Sequence, residues 1–178
     1  MRRGLILSVA VAAATGAAAQ VRGGAATSVY TALDTARCTV LRQVEEGASV
    51  FWRCPGHAGV PLFVAASDDR YDVDAGTDNG VWESSGRFSN VGPRVEWRLR
   101  RGRPFAIIYR LRLSGDGGPE ASLLGVETIG RRGAPGCLVA WIDGRLPDAN
   151  ALARARTDAR AASFRCGRDE PEQHGEAL

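Results

Sequence analysis

Val95-Glu96-Trp97-Arg98-Leu99-Arg100-Arg101-Gly102-Arg103-Pro104-Phe105-Ala106-Ile107-Ile108-Tyr109-Arg110-Leu111-Arg112-Leu113 is the stretch on which the fold turns. Val95, Trp97 and Leu99 alternate with Glu96, Arg98 and Arg100, and Phe105, Ile107, Tyr109, Leu111 and Leu113 alternate with Ile108, Arg110 and Arg112. A period of two on both sides of a glycine-containing loop is the signature of a β-hairpin. Burial selects the register: Leu99 opposite Phe105 and Trp97 opposite Ile107 gathers the large apolar side chains on one face. A slip of one residue would scatter them over both. The other face then carries Arg94, Arg98, Arg110 and Arg112, with Glu96 among them.

Outward from the hairpin, Ala48 to Cys54, Val60 to Ala66, Tyr71 to Ala75, Leu123 to Ile129 and Cys137 to Ile142 are short apolar or alternating runs separated by Gly-, Pro- and Asp-rich turns, the pattern of further strands. From Asp148 the period changes. Leu152, Ala155, Ala159, Ala162 and Cys166 fall at three-four spacing, which predicts a helix capped by Asp148 or Asn150 and stopped at Gly167. Strands followed by a helix predict an α+β fold: an antiparallel sheet of about six strands with one C-terminal helix packed on one face, and two disulfides. With the helix on the Trp97–Ile107 face, the arginine face would be wet.

The N-terminus carries Arg2 and Arg3, then an uncharged run from Gly4 to Ala19 ending in Ala17-Ala18-Ala19. This is the layout of a secretory signal peptide, too short for a membrane span. The expected organisation is a signal peptide over 1–19, a flexible leader over 20–27, one globular domain over 28–167 and a disordered tail over 168–178. No membrane anchor remains after cleavage, and the expected location is the periplasm. Every basic residue is arginine, and the formal net charge of +3 falls to about +1 once Arg2 and Arg3 are removed. So small a surplus argues against nucleic-acid binding.

Cys38, Cys54, Cys137 and Cys166 make an even set in an exported chain, which implies disulfides. Three pairings are open. Cys38–Cys54 with Cys137–Cys166 is favoured because each bond then closes a local loop. No C-x-x-C motif is present, and neither His57 nor His174 lies at ligand spacing from a cysteine pair.

Motifs for hydrolases, metalloproteases and phosphate loops are missing from the sequence. No catalytic residue, metal ligand or cofactor is indicated. His57 sits in the Pro55–Gly59 turn. Asp72 and Asp74 share a strand face, but the stretch from Asp68 to Gly80 departs from a calcium loop and is expected to be a solvated edge. Arg94, Arg98, Arg110 and Arg112 form a candidate fork for anions. Of the four tryptophans, Trp97 and Trp141 are expected in the core, and Trp82 is the one expected to be exposed.

Trp52-Arg53-Cys54-Pro55-Gly56, Val95 to Arg100, Cys137 to Asp143, and Asp148 to Ala155 running on to Phe164-Arg165-Cys166 resemble a family of small, uncharacterised exported proteins of Gram-negative bacteria. The resemblance spans roughly Tyr30 to Gly167. It implies a periplasmic location and supports the cysteine positions near the two ends, but it supplies no activity. The expectation is a non-catalytic binding or interaction protein whose partner is an envelope protein, a glycan or a small anion. An inhibitor of an envelope hydrolase acting through Pro55–Gly59 and a small hydrolase using Asp72, Asp74 or His57 are the alternatives.

Overall fold

The computed structural model describes residues 24–45, 48–115 and 121–176. The expected signal peptide and residues 20–23 of the expected leader lie outside the described residues, and Thr27, the last residue of that leader, opens the first strand. Among these residues the chain forms ten strands, β1 (Thr27–Ala32), β2 (Thr39–Val44), β3 (Ser49–His57), β4 (Val60–Ser67), β5 (Arg70–Ala75), β6 (Ser89–Arg100), β7 (Arg103–Leu113), β8 (Ser122–Thr128), β9 (Leu138–Asp143) and β10 (Glu172–His174). One helix, α1 (Ala149–Arg156), runs on into a π-helical turn at Thr157–Ala161.

The strands build two sheets, not one: a six-stranded sheet in the order β1-β6-β7-β8-β9-β10 and a four-stranded sheet in the order β2-β3-β4-β5. The α+β expectation of one sheet of about six strands is therefore corrected to a mostly β fold. The physical reason lies in the face carried by Val95, Trp97, Ile107, Tyr109 and Leu111. An eight-residue helix rich in alanine has too little apolar surface to cover it. Leu62, Val64, Val73 and Ala75 of the four-stranded sheet cover it instead, closing one core with Leu123, Leu138 and Trp141. Gly56 allows the close approach, since a Cβ there would lie 2.9 Å from the Trp97 ring.

The helix packs on the opposite face, the one that also carries the arginines. Ala149, Ala153 and Ala161 lie against Ala106, Ile108, Leu124, Val126, Ala140 and Ile142. Its buried stripe is Ala149-Ala153-Thr157-Ala161. In the stripe expected from the sequence, Ala155, Ala159 and Ala162 are exposed. Asp148 precedes the helix in a left-handed conformation without a side-chain cap. The Thr157 hydroxyl donates to the Ala153 carbonyl at 2.7 Å, and the π-helical turn beyond it brings Asp158 to the arginine face.

Trp97 pairs with Ile107 as the hairpin pattern requires, but a bulge between Arg98 and Leu99 sets Leu99 opposite Pro104 and not Phe105. Disulfides join Cys38 to Cys54 and Cys137 to Cys166. The second ties the start of β9 to the segment after the helix. Within the stretch expected to be a disordered tail, Glu172–His174 adds to β9 as a parallel edge strand. Among the described residues no helix is long and apolar enough to cross a membrane.

Candidate functional site

Two concave regions carry polar and aromatic side chains together. The first lies on the outer face of the four-stranded sheet. Register places Phe51 beside Ala65 and Ala65 beside Asp72, with Phe63 beside Asp74. The segment from Gly76 to Phe88 then returns over this face, held by the carboxylates beneath it. Asp74 accepts from the Asn79 amide at 3.2 Å. Asp72 accepts from the amides of Val73 at 2.9 Å and Glu83 at 3.2 Å. Glu83 in turn accepts from the Leu138 amide at 3.1 Å and from Asn79 Nδ2 at 2.9 Å. Anchored in this way, Trp82 stands over the sheet and remains 44 % exposed.

The resulting groove has two consecutive cavities. One, of about 290 Å³, is lined by Phe51, Phe63, Val81, Trp82, Asp72 and Asp74 among others. The next, of about 340 Å³, is lined by Ser49, Phe51, Ser67, Asp68, Arg70 and Trp82. Phe51 and Trp82 line both. Arg42 stacks on Phe51 at 4.0 Å from the ring centre, and Arg70 stacks on Phe88 at 4.4 Å while pairing with Asp68.

The Asp72–Asp74 stretch, expected as a solvated edge, is buried. Burial is the main cause that raises the Asp72 carboxyl to about 6, with neighbouring Glu83 adding to it. Burial and then repulsion from Asp72 raise Asp74 to about 7. Glu127, 1 % exposed on β8, is pushed well above the ordinary glutamate range by burial and by Asp74 and Asp72. The contact between the two carboxyls favours the protonated form of Glu127 and the ionised form of Asp74. Asp74 Oδ1 and Glu127 Oε1 are buried and accept no hydrogen bond from the described residues. The Tyr109 hydroxyl is also buried without a partner, and Gly125 makes room for its ring.

The second region is a cleft of about 320 Å³ between α1 and the six-stranded sheet, lined by Tyr30, Arg94, Glu96, Arg110, Asn150 and Arg154 among others. Of the four arginines expected to form an anion face, Arg94 and Arg110 reach this cleft. Arg112 is exposed outside it. Arg98 is 5 % exposed and fully engaged. It donates to Asp158 through Nε at 3.0 Å and a terminal nitrogen at 2.5 Å, to the Ser28 hydroxyl, and lies 3.7 Å from Glu96. Arg98 is thus an internal cross-brace, and the expectation of a wet arginine face fails because the helix layer sits on it.

His57 packs against Trp97, with ring centres 6.0 Å apart, and does not line the groove of Asp72 and Asp74. The structure does not bring the three together as a catalytic set. Trp97 and Trp141 are buried and Trp82 is exposed, as the strand contexts indicate. Sequence reasoning missed Phe51, Phe63, Glu127, Tyr30 and Arg154. Phe63 sits in a run apolar at every position, and Phe51 lies between Val50 and Trp52, so that in neither case does alternation pick out the face. The others become neighbours only through contacts distant in the chain. No protein-family model, no curated protein and no solved structure matches the chain.

Proposed function

We propose that the protein is a non-catalytic binding protein of the periplasm, and that its ligand is a glycan lying along the groove of Phe51, Phe63 and Trp82. Export is supported by the leader pattern of Arg2 to Ala19 and by two disulfides, bonds that persist in an oxidising compartment. The observation that carries the ligand class is the pair of consecutive cavities sharing Phe51 and Trp82 as walls. A pyranose presents an apolar C–H face to an aromatic ring and a rim of hydroxyls to charged groups. The groove supplies exposed rings with Asp68, Asp78, Arg42 and Arg70 around them.

A binding role fits Asp72 and Asp74 better than catalysis. Elevated carboxyls in a groove are the usual mark of an acid–base pair, but these carboxyls already accept from the amides of Val73, Asn79 and Glu83. They hold the segment that carries Trp82.

Calorimetric titration with soluble peptidoglycan strands and linear β-linked oligosaccharides tests the reading. Binding is expected, weakened about tenfold or more by Trp82→Ala as a stacking surface is lost, with the thermal midpoint unchanged. Absence of heat with all of these glycans overturns it, as does release of reducing ends from them by the protein.

A further inference from the structure

The arginines that the sequence places on one strand face are divided by the structure into a cross-brace and a remainder, and the remainder has a shape. Arg94, Arg110 and Arg154 line the same cleft, facing one carboxylate, Glu96. That carboxylate is already used. The Ser28 hydroxyl and Arg154 Nε both donate to it, the latter at 2.7 Å, and Arg98 lies beside it. Arg110 has only neutral partners, the Ser122 hydroxyl at 2.6 Å and Asn150 Oδ1 at 3.2 Å. Among the described residues the Arg94 side chain makes no ion pair or hydrogen bond.

The cleft is built to hold these groups in place. Gly144 admits the Arg110 guanidinium, because a Cβ there would stand 2.7 Å from its terminal nitrogen. Gly92 lies against the Arg110 backbone and Cβ. Arg154 is oriented by Glu96 on one side and by the Tyr30 hydroxyl at 3.1 Å on the other. Burial, and then the charge of Arg112, pull the Arg110 pKa down, as expected for a cation that lacks a counter-charge. Guanidiniums fixed around a concavity without enough carboxylates match a phosphate oxyanion, whose oxygens accept several N–H donors at once.

We propose that this cleft is a phosphate-binding site, distinct from the aromatic groove, in which Arg94 and Arg110 grip the phosphate oxygens while Arg154 and Asn150 close the helix side. The phosphate could be free, a monoester or the headgroup of a phospholipid, and the same donors serve all three.

Titration with inorganic phosphate, with glycerol phosphate and with phosphatidylglycerol vesicles, each at fixed physiological ionic strength, separates the sources. Saturable binding of at least one is expected. Arg110→Gln and Arg94→Gln should each weaken it about tenfold, the loss of one charge-assisted contact. Arg112→Gln, outside the cleft, should change it by less than about twofold, the small effect of a screened charge. Arg94 is exposed, so its replacement leaves folding intact even if Arg110→Gln does not. The proposal is overturned if none of the three probes binds saturably, or if Arg112→Gln weakens binding as much as Arg94→Gln does. That second result would mean a diffuse basic field and no site.

Discussion

The two faces of the six-stranded sheet come from the same strands and behave as different materials. Toward the four-stranded sheet, Val95, Trp97, Ile107, Tyr109 and Leu111 are at most 1 % exposed and meet other apolar side chains. The Trp97 indole, the largest of them, donates to Thr31 Oγ1 at 2.8 Å. Toward the helix, alternate residues of the same hairpin are Glu96, Arg98 and Arg110, and the covering layer is a stripe of alanines over β7 to β9. Alanine lets a helix approach closely but covers a narrow strip. Polar side chains outside that strip must be paired by the helix, as Asp158 pairs Arg98, or left to line a cleft, as Arg94 and Arg110 do. Stability on one face is volume; on the other it is charge.

Two substitutions separate these contributions. The largest effect is expected from Trp97→Ala, which should remove about 4 kcal/mol of stability through lost burial and the cavity left between the sheets. Urea denaturation measures it, and the loss should be indifferent to salt. A loss under about 2 kcal/mol would mean that the four-stranded sheet settles into the gap, and that the sandwich is not close-packed. Arg98→Met should cost less, about 2 kcal/mol, because it strands Asp158, whose side chain keeps a third of its surface in water, while Glu96 retains Ser28 and Arg154. This loss should shrink at high salt. A salt-independent deficit would show that the arginine stem, not its charge, does the bracing.

How much of this was legible in the sequence follows from which signals are local. The hairpin register at Trp97–Ile107 could be read because alternation across a short loop is local. The disulfide pairs followed from loop length. The second sheet was hidden because β2, Thr39–Val44, is exposed at nearly every position and shows no period. β1 likewise pairs with a strand more than sixty residues away. One signal pointed to it: Leu138-Val139-Ala140-Trp141-Ile142 is apolar at every position and buried throughout. Such a run needs a covering layer on each face, and a single helix supplies one. The aromatic groove was half legible. Trp82 stood out in a polar loop, but the carboxylates that hold the loop looked solvated, since nothing local announces that Glu127 lies beside Asp74.

That buried carboxyl cluster gives the smallest effect, and the one that divides the two sites most cleanly by pH. Asp72 and Asp74 titrate near 3.8 when unfolded and at about 6 and about 7 when folded. The folded chain therefore binds protons more tightly than the unfolded chain between those limits. The stability they contribute is complete below about pH 4 and is lost as pH rises through 6 and 7. Carboxylates with depressed pKa values, Asp143 beside Arg145 and Glu172 beside His174 and Arg160, carry the opposite sign and lose their contribution only at more acid pH. Between pH 7 and pH 6 the protein should gain on the order of 1 kcal/mol, seen as a rising midpoint in thermal melts. Asp74→Asn keeps an acceptor for the Asn79 amide, yet removes the charge. It should be more stable than the parent at pH 8 and show a flatter profile. If its profile stays as steep as the parent's, the proton uptake belongs elsewhere, and the segment carrying Trp82 is not held by a titrating Asp74.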